Sequence, residues 1–158
     1  MTGGRDLGSF LASLQSMNLE TISEVAIDNT LDQMKERNID QLRHGYDSKG
    51  NRLPGYKWEE YANTKHAQNA LPGFGNPDYI LKGGFTGAFV AERSGDLIGI
   101  YSLDGKAQKL EERTDDINQD RQKGADLIYG LGEKEHNSYV KEDLEPAFMD
   151  EVRRALDQ

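Results

Sequence analysis

The sequence predicts an α+β chain, and three observations predict it. An apolar stripe at helical spacing runs from Ile22 through Val25, Leu31 and Met34 to Leu42. An uncharged run, Leu97 to Ser102, follows the turn-forming Ser94-Gly95-Asp96 and reads as one arm of a hairpin. A second helical stripe of Leu144, Phe148, Val152, Ala155 and Leu156 closes the chain. The 158 residues suit one domain spanning 1–158.

Residues 1–18 are expected to form a mobile or partner-bound N-terminal segment, in which Leu7, Phe10, Leu11 and Leu14 carry a short helix. Asn18 and the Thr21-Ile22-Ser23-Glu24 box mark a fresh start, because a Thr oxygen can accept from the amide three residues on while the Glu reaches back. From Thr21 a long amphipathic helix is predicted to about His44, with Gly45 as its left-handed cap. Asp47 to Asn51 reads as a tight turn. Trp58, Tyr61, Ala62 and Lys65 predict a helix over 56–70, and Leu71 to Pro77 a turn-rich loop. Ile80, Leu81, Phe85 and Phe89 form an apolar series broken by glycines. It leads into a first strand near 85–92, with Leu97 to Ser102 as a buried second strand. Residues 111–124 are rich in Asp and Glu, with Ile117 as their only aliphatic side chain; they predict an acidic loop or a polar helix. In the closing helix Pro146 falls in the first turn, where its missing amide costs little.

Composition excludes several classes of function. Hydrophobic residues are 35% and charged residues 30% of the chain, enough for only a modest core. The net charge of −9 argues against a surface that wraps nucleic acid or an anionic membrane. The charge is uneven: 1–40 carry −4, 41–82 carry +2, 83–110 are balanced and 111–158 carry −7. There is no Cys, which excludes disulfides, thiol catalysis and Cys-ligated zinc. No apolar run approaches the roughly 20 residues of a membrane span. Met1 to Phe10 offers no apolar core of a secretory signal.

The familiar catalytic patterns are missing. His44, His66 and His136 are scattered and fit no zinc motif. The turn at Asp47 fails as a calcium loop, with Lys49 third, Arg52 sixth and Trp58 twelfth. Gly105-Lys106-Ala107 lacks the hydroxyl a phosphate loop needs. Paired acids such as Glu59-Glu60 or Glu142-Asp143 point apart on a helix. No catalytic residue, metal ligand or cofactor is therefore expected. The candidates are interface residues: Leu31 and Met34 on the long helix, Trp58 and Tyr61 beside the turn-rich loops, and Phe85. For Trp58 and Tyr61 the alternative is a place in the core.

The order of features from Gln41 to Gly132 resembles a small morphogenesis protein of tailed phages or prophages, of the head–tail connector, tail-completion or tail-terminator type. Gln41-Leu42, Gly45, Asp47 and Gly50 end a long helix; Tyr56, Trp58 and Tyr61 lead to Thr64-Lys65. Asp78 to Phe85 precede the Leu97 to Ser102 strand, and Lys106 and Leu110 lead into Tyr129-Gly130. Lys82 stands where such proteins often have Thr, and the acidic stretch from Glu111 to Gly124 is longer than usual. The resemblance implies a long N-terminal helix and a C-terminal helix packed on a small antiparallel sheet. It also implies a virion protein without enzymatic activity, made in the host cytoplasm. Such subunits form a homo-oligomeric ring that joins connector, portal or tail-tube proteins, with DNA passing through its channel and no specific nucleic-acid or membrane binding. The alternatives are a regulatory or protein-binding module and a phage-carried hydrolase.

Overall fold

The computed structural model describes residues 7–53, 55–56, 58–75, 84–117 and 127–157. Helix α1 (Leu7–Ser16) leads into α2 (Leu19–Arg43), the spine of the molecule. Then come α3 (Glu59–Gln68), a single turn α4 (Gly84–Gly87), and the hairpin β1 (Phe89–Ser94) and β2 (Leu97–Ser102). Helix α5 (Ala107–Ile117) follows, and the chain closes with α6 (Glu133–Tyr139), a π-helical turn (Val140–Leu144) and α7 (Glu145–Leu156). The architecture is α+β, with long N- and C-terminal helices and a two-stranded antiparallel sheet.

Helix α2 begins earlier than the sequence suggests. The cap is Asn18, whose side-chain oxygen accepts from the amides of Glu20 and Thr21 at 3.1 and 3.2 Å. Thr21 therefore lies inside the first turn instead of capping it. The far end matches expectation: His44 ends the helix and Gly45 takes φ +79°. Ile22, Ala26, Thr30, Met34, Asn38 and Leu42 are buried at four-residue spacing, and the helix packs against α7, the sheet and α6.

The core lies at the C-terminal half of α2, where Ile39, Leu42, Leu53, Phe85, Phe89, Ala107 and Ile128 pack together. Phe85 and Phe89 meet edge to face with centroids 5.1 Å apart, and Phe89 meets Tyr129 at 5.4 Å. Two buried amides hold the irregular chain around this core. Asn38 donates to the carbonyls of Ile128 and Gly130 at 3.0 and 2.8 Å. Gln41 donates to the Asp47 carbonyl at 2.6 Å and accepts from the Gly132 amide at 2.7 Å. Asp47 shapes the predicted turn by accepting from the amides of Lys49 and Asn51 at 2.9 and 2.8 Å.

Several expectations change. The first strand starts at Phe89, not Phe85, because Phe85 sits in the α4 turn, whose carbonyl accepts from the Ser102 hydroxyl at 3.0 Å. The second strand is not buried: with only two strands among the described residues, one face meets α2 and the other meets solvent, and Leu97 is 76% exposed. The pairing puts Phe89, Ala91 and Arg93 opposite Ser102, Ile100 and Ile98 on the inner face. Arg93 there grips Asp28 through two hydrogen bonds of 2.7 and 3.1 Å and Glu24 at 3.2 Å. Helix α3 covers only 59–68 of the predicted 56–70. The acidic stretch is helical through Ile117, so the loop reading fails for 111–117, while 118–124 lie outside the described residues. Met1 to Asp6, Ile80, Leu81 and Lys82 lie outside them as well.

Pro146 falls in the first turn of α7, as expected, but α6 and the π-helical turn run into that helix from Glu133 without a break. A Pro there has no amide for a helical bond and crowds the carbonyl of Glu142. The π-helical turn directly before it absorbs the mismatch: the Glu145 amide donates to the carbonyl of Val140, five residues back.

Candidate interaction surface

The five interface candidates separate. Phe85 is a core residue, 5% exposed, so its ring faces this chain's own interior. Met34 is buried and floors a cleft; Leu31 is half-buried. Trp58 and Tyr61 are 69% and 42% exposed, which removes the core alternative for both. They sit at the start of α3, on an excursion from 58 to 75 that also exposes Leu71 and Phe74.

The excursion is anchored at the C-terminal end of α2. Arg52 donates from one guanidinium nitrogen to the carbonyls of His44 and Pro72 at 3.1 and 2.8 Å, and Asn69 donates to the carbonyl of Arg43 at 3.0 Å. Carbonyls at a helix end lack intrahelical partners, so these contacts satisfy the helix while fixing the excursion. Tyr56 meets Tyr61 edge to face at 4.9 Å, and His66 meets Phe74 at 5.9 Å. Rigid aromatic side chains on a tethered excursion are suited to anchoring a neighbouring protein.

Two depressions accompany this surface. One, of about 400 Å³, runs along the outer edge of β2, between Ile98, Ile100 and Met34 on one side and Tyr129, Leu131 and His136 on the other. Its lining holds one imidazole and no carboxylate. Burial pushes the Tyr129 phenol up, reinforced by its 2.7 Å hydrogen bond to Glu111, so it stays protonated. The other, of about 330 Å³, lies between α2 and α7 and is lined mostly by Ile27, Leu144, Phe148 and Met149. Nothing in the sequence reading pointed to this second groove. The available signal was α1, which carries no charged residue in a chain that is 30% charged.

Among the described residues there is no group of three or more His, Cys, Asp or Glu placed to hold a metal ion. No described helix is long and apolar enough to cross a membrane. One ionic cluster binds two elements together: Arg37 reaches Asp143 at 2.5 Å and Glu142 at 2.8 Å, joining α2 to the π-helical turn. The guanidinium pKa is raised by these hydrogen bonds, first that to Asp143. Comparison with family models, curated proteins and solved structures returns no match at any of the three levels.

Proposed function

We propose that this chain is a structural subunit of a tailed-phage or prophage particle, acting at the head–tail joint or in the tail. Its task is to join neighbouring proteins within a ring of its own copies. The observation that carries this reading is the exposed aromatic excursion. Trp58, 69% exposed, stands with Tyr61, Leu71 and Phe74 on chain tied down by Arg52 and Asn69. The core does not use these side chains, and large aromatics at interface centres are where binding energy concentrates. The order of motifs from Gln41 to Gly132 supplies the particle context.

Trp58→Ala tests the reading. In the purified chain it leaves stability within about 0.5 kcal/mol, as expected of an exposed site. In particle assembly it abolishes head–tail joining or incorporation of the subunit. Wild-type particle yield from the Trp58→Ala variant, or absence of the chain from purified particles, refutes the proposal.

A further inference from the structure

The end of the molecule opposite the core has helices without a buried side. Neither α1 nor α7 has a buried residue. Along α1, Leu7, Phe10, Leu11 and Leu14 are all exposed, Leu7 by 73%. Their spacing puts them on one face of the helix. The groove between α2 and α7 stands open beside it, with Ile27 and Phe148 inside and Met149 exposed at the rim. In its own chain α1 lies against α7 yet leaves this groove open.

We propose that α1 is a self-association arm whose apolar face seats in the α2–α7 groove of a second copy. Charge selects this occupant. Each copy carries −9, so two copies repel wherever charged surfaces meet. Helix α1 carries no charge at all, and the groove lining holds one carboxylate, Glu145. These two surfaces can meet without opposing like charges. Both surfaces lie open: Leu7, Phe10, Leu11 and Leu14 are exposed on the arm, and Met149 is exposed at the rim of the groove. Reciprocal exchange of arms doubles the contact and adds the missing layer over α7. The assignment stands on α1 and the groove alone and holds for an assembly protein of any kind.

The test uses the full chain in solution, with mass read by sedimentation velocity and light scattering. The wild type is expected to be an oligomer. Leu11→Asp with Leu14→Asp breaks the arm, and Met149→Asp breaks the groove. Each is expected to weaken association by roughly 100-fold or more, because a carboxylate replaces apolar contact surface. Thermal melting by circular dichroism shows that both variants still fold, since none of the three residues is buried. Mixing the two variants restores association in part, because one intact arm then meets one intact groove. A wild type that stays monomeric at its highest soluble concentration overturns the proposal. So do variants that keep the wild-type mass, a mixture that shows no recovery, and a monomer that instead binds phosphatidylcholine vesicles through Leu11 and Leu14. None of these results touches the Trp58 test, which is read in particles.

Discussion

The joint between α2 and α6 can be dissected through one hydrogen bond. Thr30 and Tyr139 are 4% and 2% exposed, and their hydroxyl oxygens lie 2.7 Å apart. Thr30 donates its single proton to a carbonyl of its own helix, that of Ala26 at 2.9 Å or of Ile27 at 3.1 Å. Tyr139 is therefore the donor to Thr30. Tyr139→Phe removes that donor but leaves Thr30 bonded to its carbonyl, a loss of about 0.5–1.5 kcal/mol. Thr30→Val strands a buried phenol without an acceptor and costs about 1–3 kcal/mol. The double variant removes both groups and costs less than the sum, with a coupling on the order of 1 kcal/mol. Urea unfolding followed by circular dichroism reads all four proteins. Strictly additive losses, or a Thr30→Val loss smaller than that of Tyr139→Phe, would refute the assigned direction of donation. The same phenol gives a pH signature. Burial, ahead of other causes, raises its pKa in the folded chain. A raised folded pKa contributes stability that is complete below the unfolded value near 10 and is lost as pH climbs from there toward the folded value. The wild type therefore shows a larger alkaline loss than Tyr139→Phe, in which the raised Tyr129 phenol still contributes.

Two further sites give sharp expectations. A Cβ on Gly132 would lie 2.7 and 2.8 Å from the backbone nitrogen and Cα of Gly50, so Gly132→Ala forces two backbones apart. The expected loss is about 1–3 kcal/mol by chemical denaturation. Gly99→Ala meets nothing within 4 Å and is expected to be neutral or slightly stabilising, so equal losses at both sites would discredit the close approach. At acid pH, Asp28 is held below its ordinary value of 3.8, first by its hydrogen bond to Arg93. A depressed folded pKa contributes stability that is present above the unfolded value and lost as pH falls through the folded one. Melting temperature should therefore fall below about pH 4. Arg93→Met should flatten that fall, and an unchanged acid profile would show that the α2–β1 clamp contributes nothing.

The long helix, the hairpin turn and the closing stripe were legible because each rests on local periodicity or turn chemistry. Gly45 and Asp47 were legible for the same reason: a positive φ and a side-chain-capped turn leave residue signatures. The burial of Leu97 to Ser102 was misread because an apolar run does not report how many strands flank it. With only β1 beside it among the described residues, Leu97 points to solvent. Phe85 and Trp58 show the same limit from opposite sides. Both are aromatics among glycine-rich turns, yet one fills the core and the other stands outside it. Their places depend on contacts with residues far along the chain, such as Ile128 and Ala107 around Phe85. The Asn38 and Gln41 amides were invisible for that reason too: the backbone groups of Ile128, Gly130 and Gly132 that they hold lie about ninety residues away.

The distribution of burial along α2 bears on why α1 matters. The C-terminal half of α2 is enclosed by the hairpin, the turn at Asp47 and the chain from Leu127 to Gly132. Its N-terminal half meets α7, the Arg93 clamp from β1 and Tyr139 of α6, and α7 buries nothing fully in return. Helix α1 has ten residues, shorter than the roughly 12–15 at which even good helix-forming sequences become stable alone in water. Tertiary packing ordinarily supplies the difference, but α1 has no buried side chain with which to draw on it. Its Leu7, Phe10, Leu11 and Leu14 face is thus a source of stability unused within one chain. Seating that face in a neighbour's groove would order the arm and cover Phe148 and Met149 in the same step, coupling the folding of this end to association.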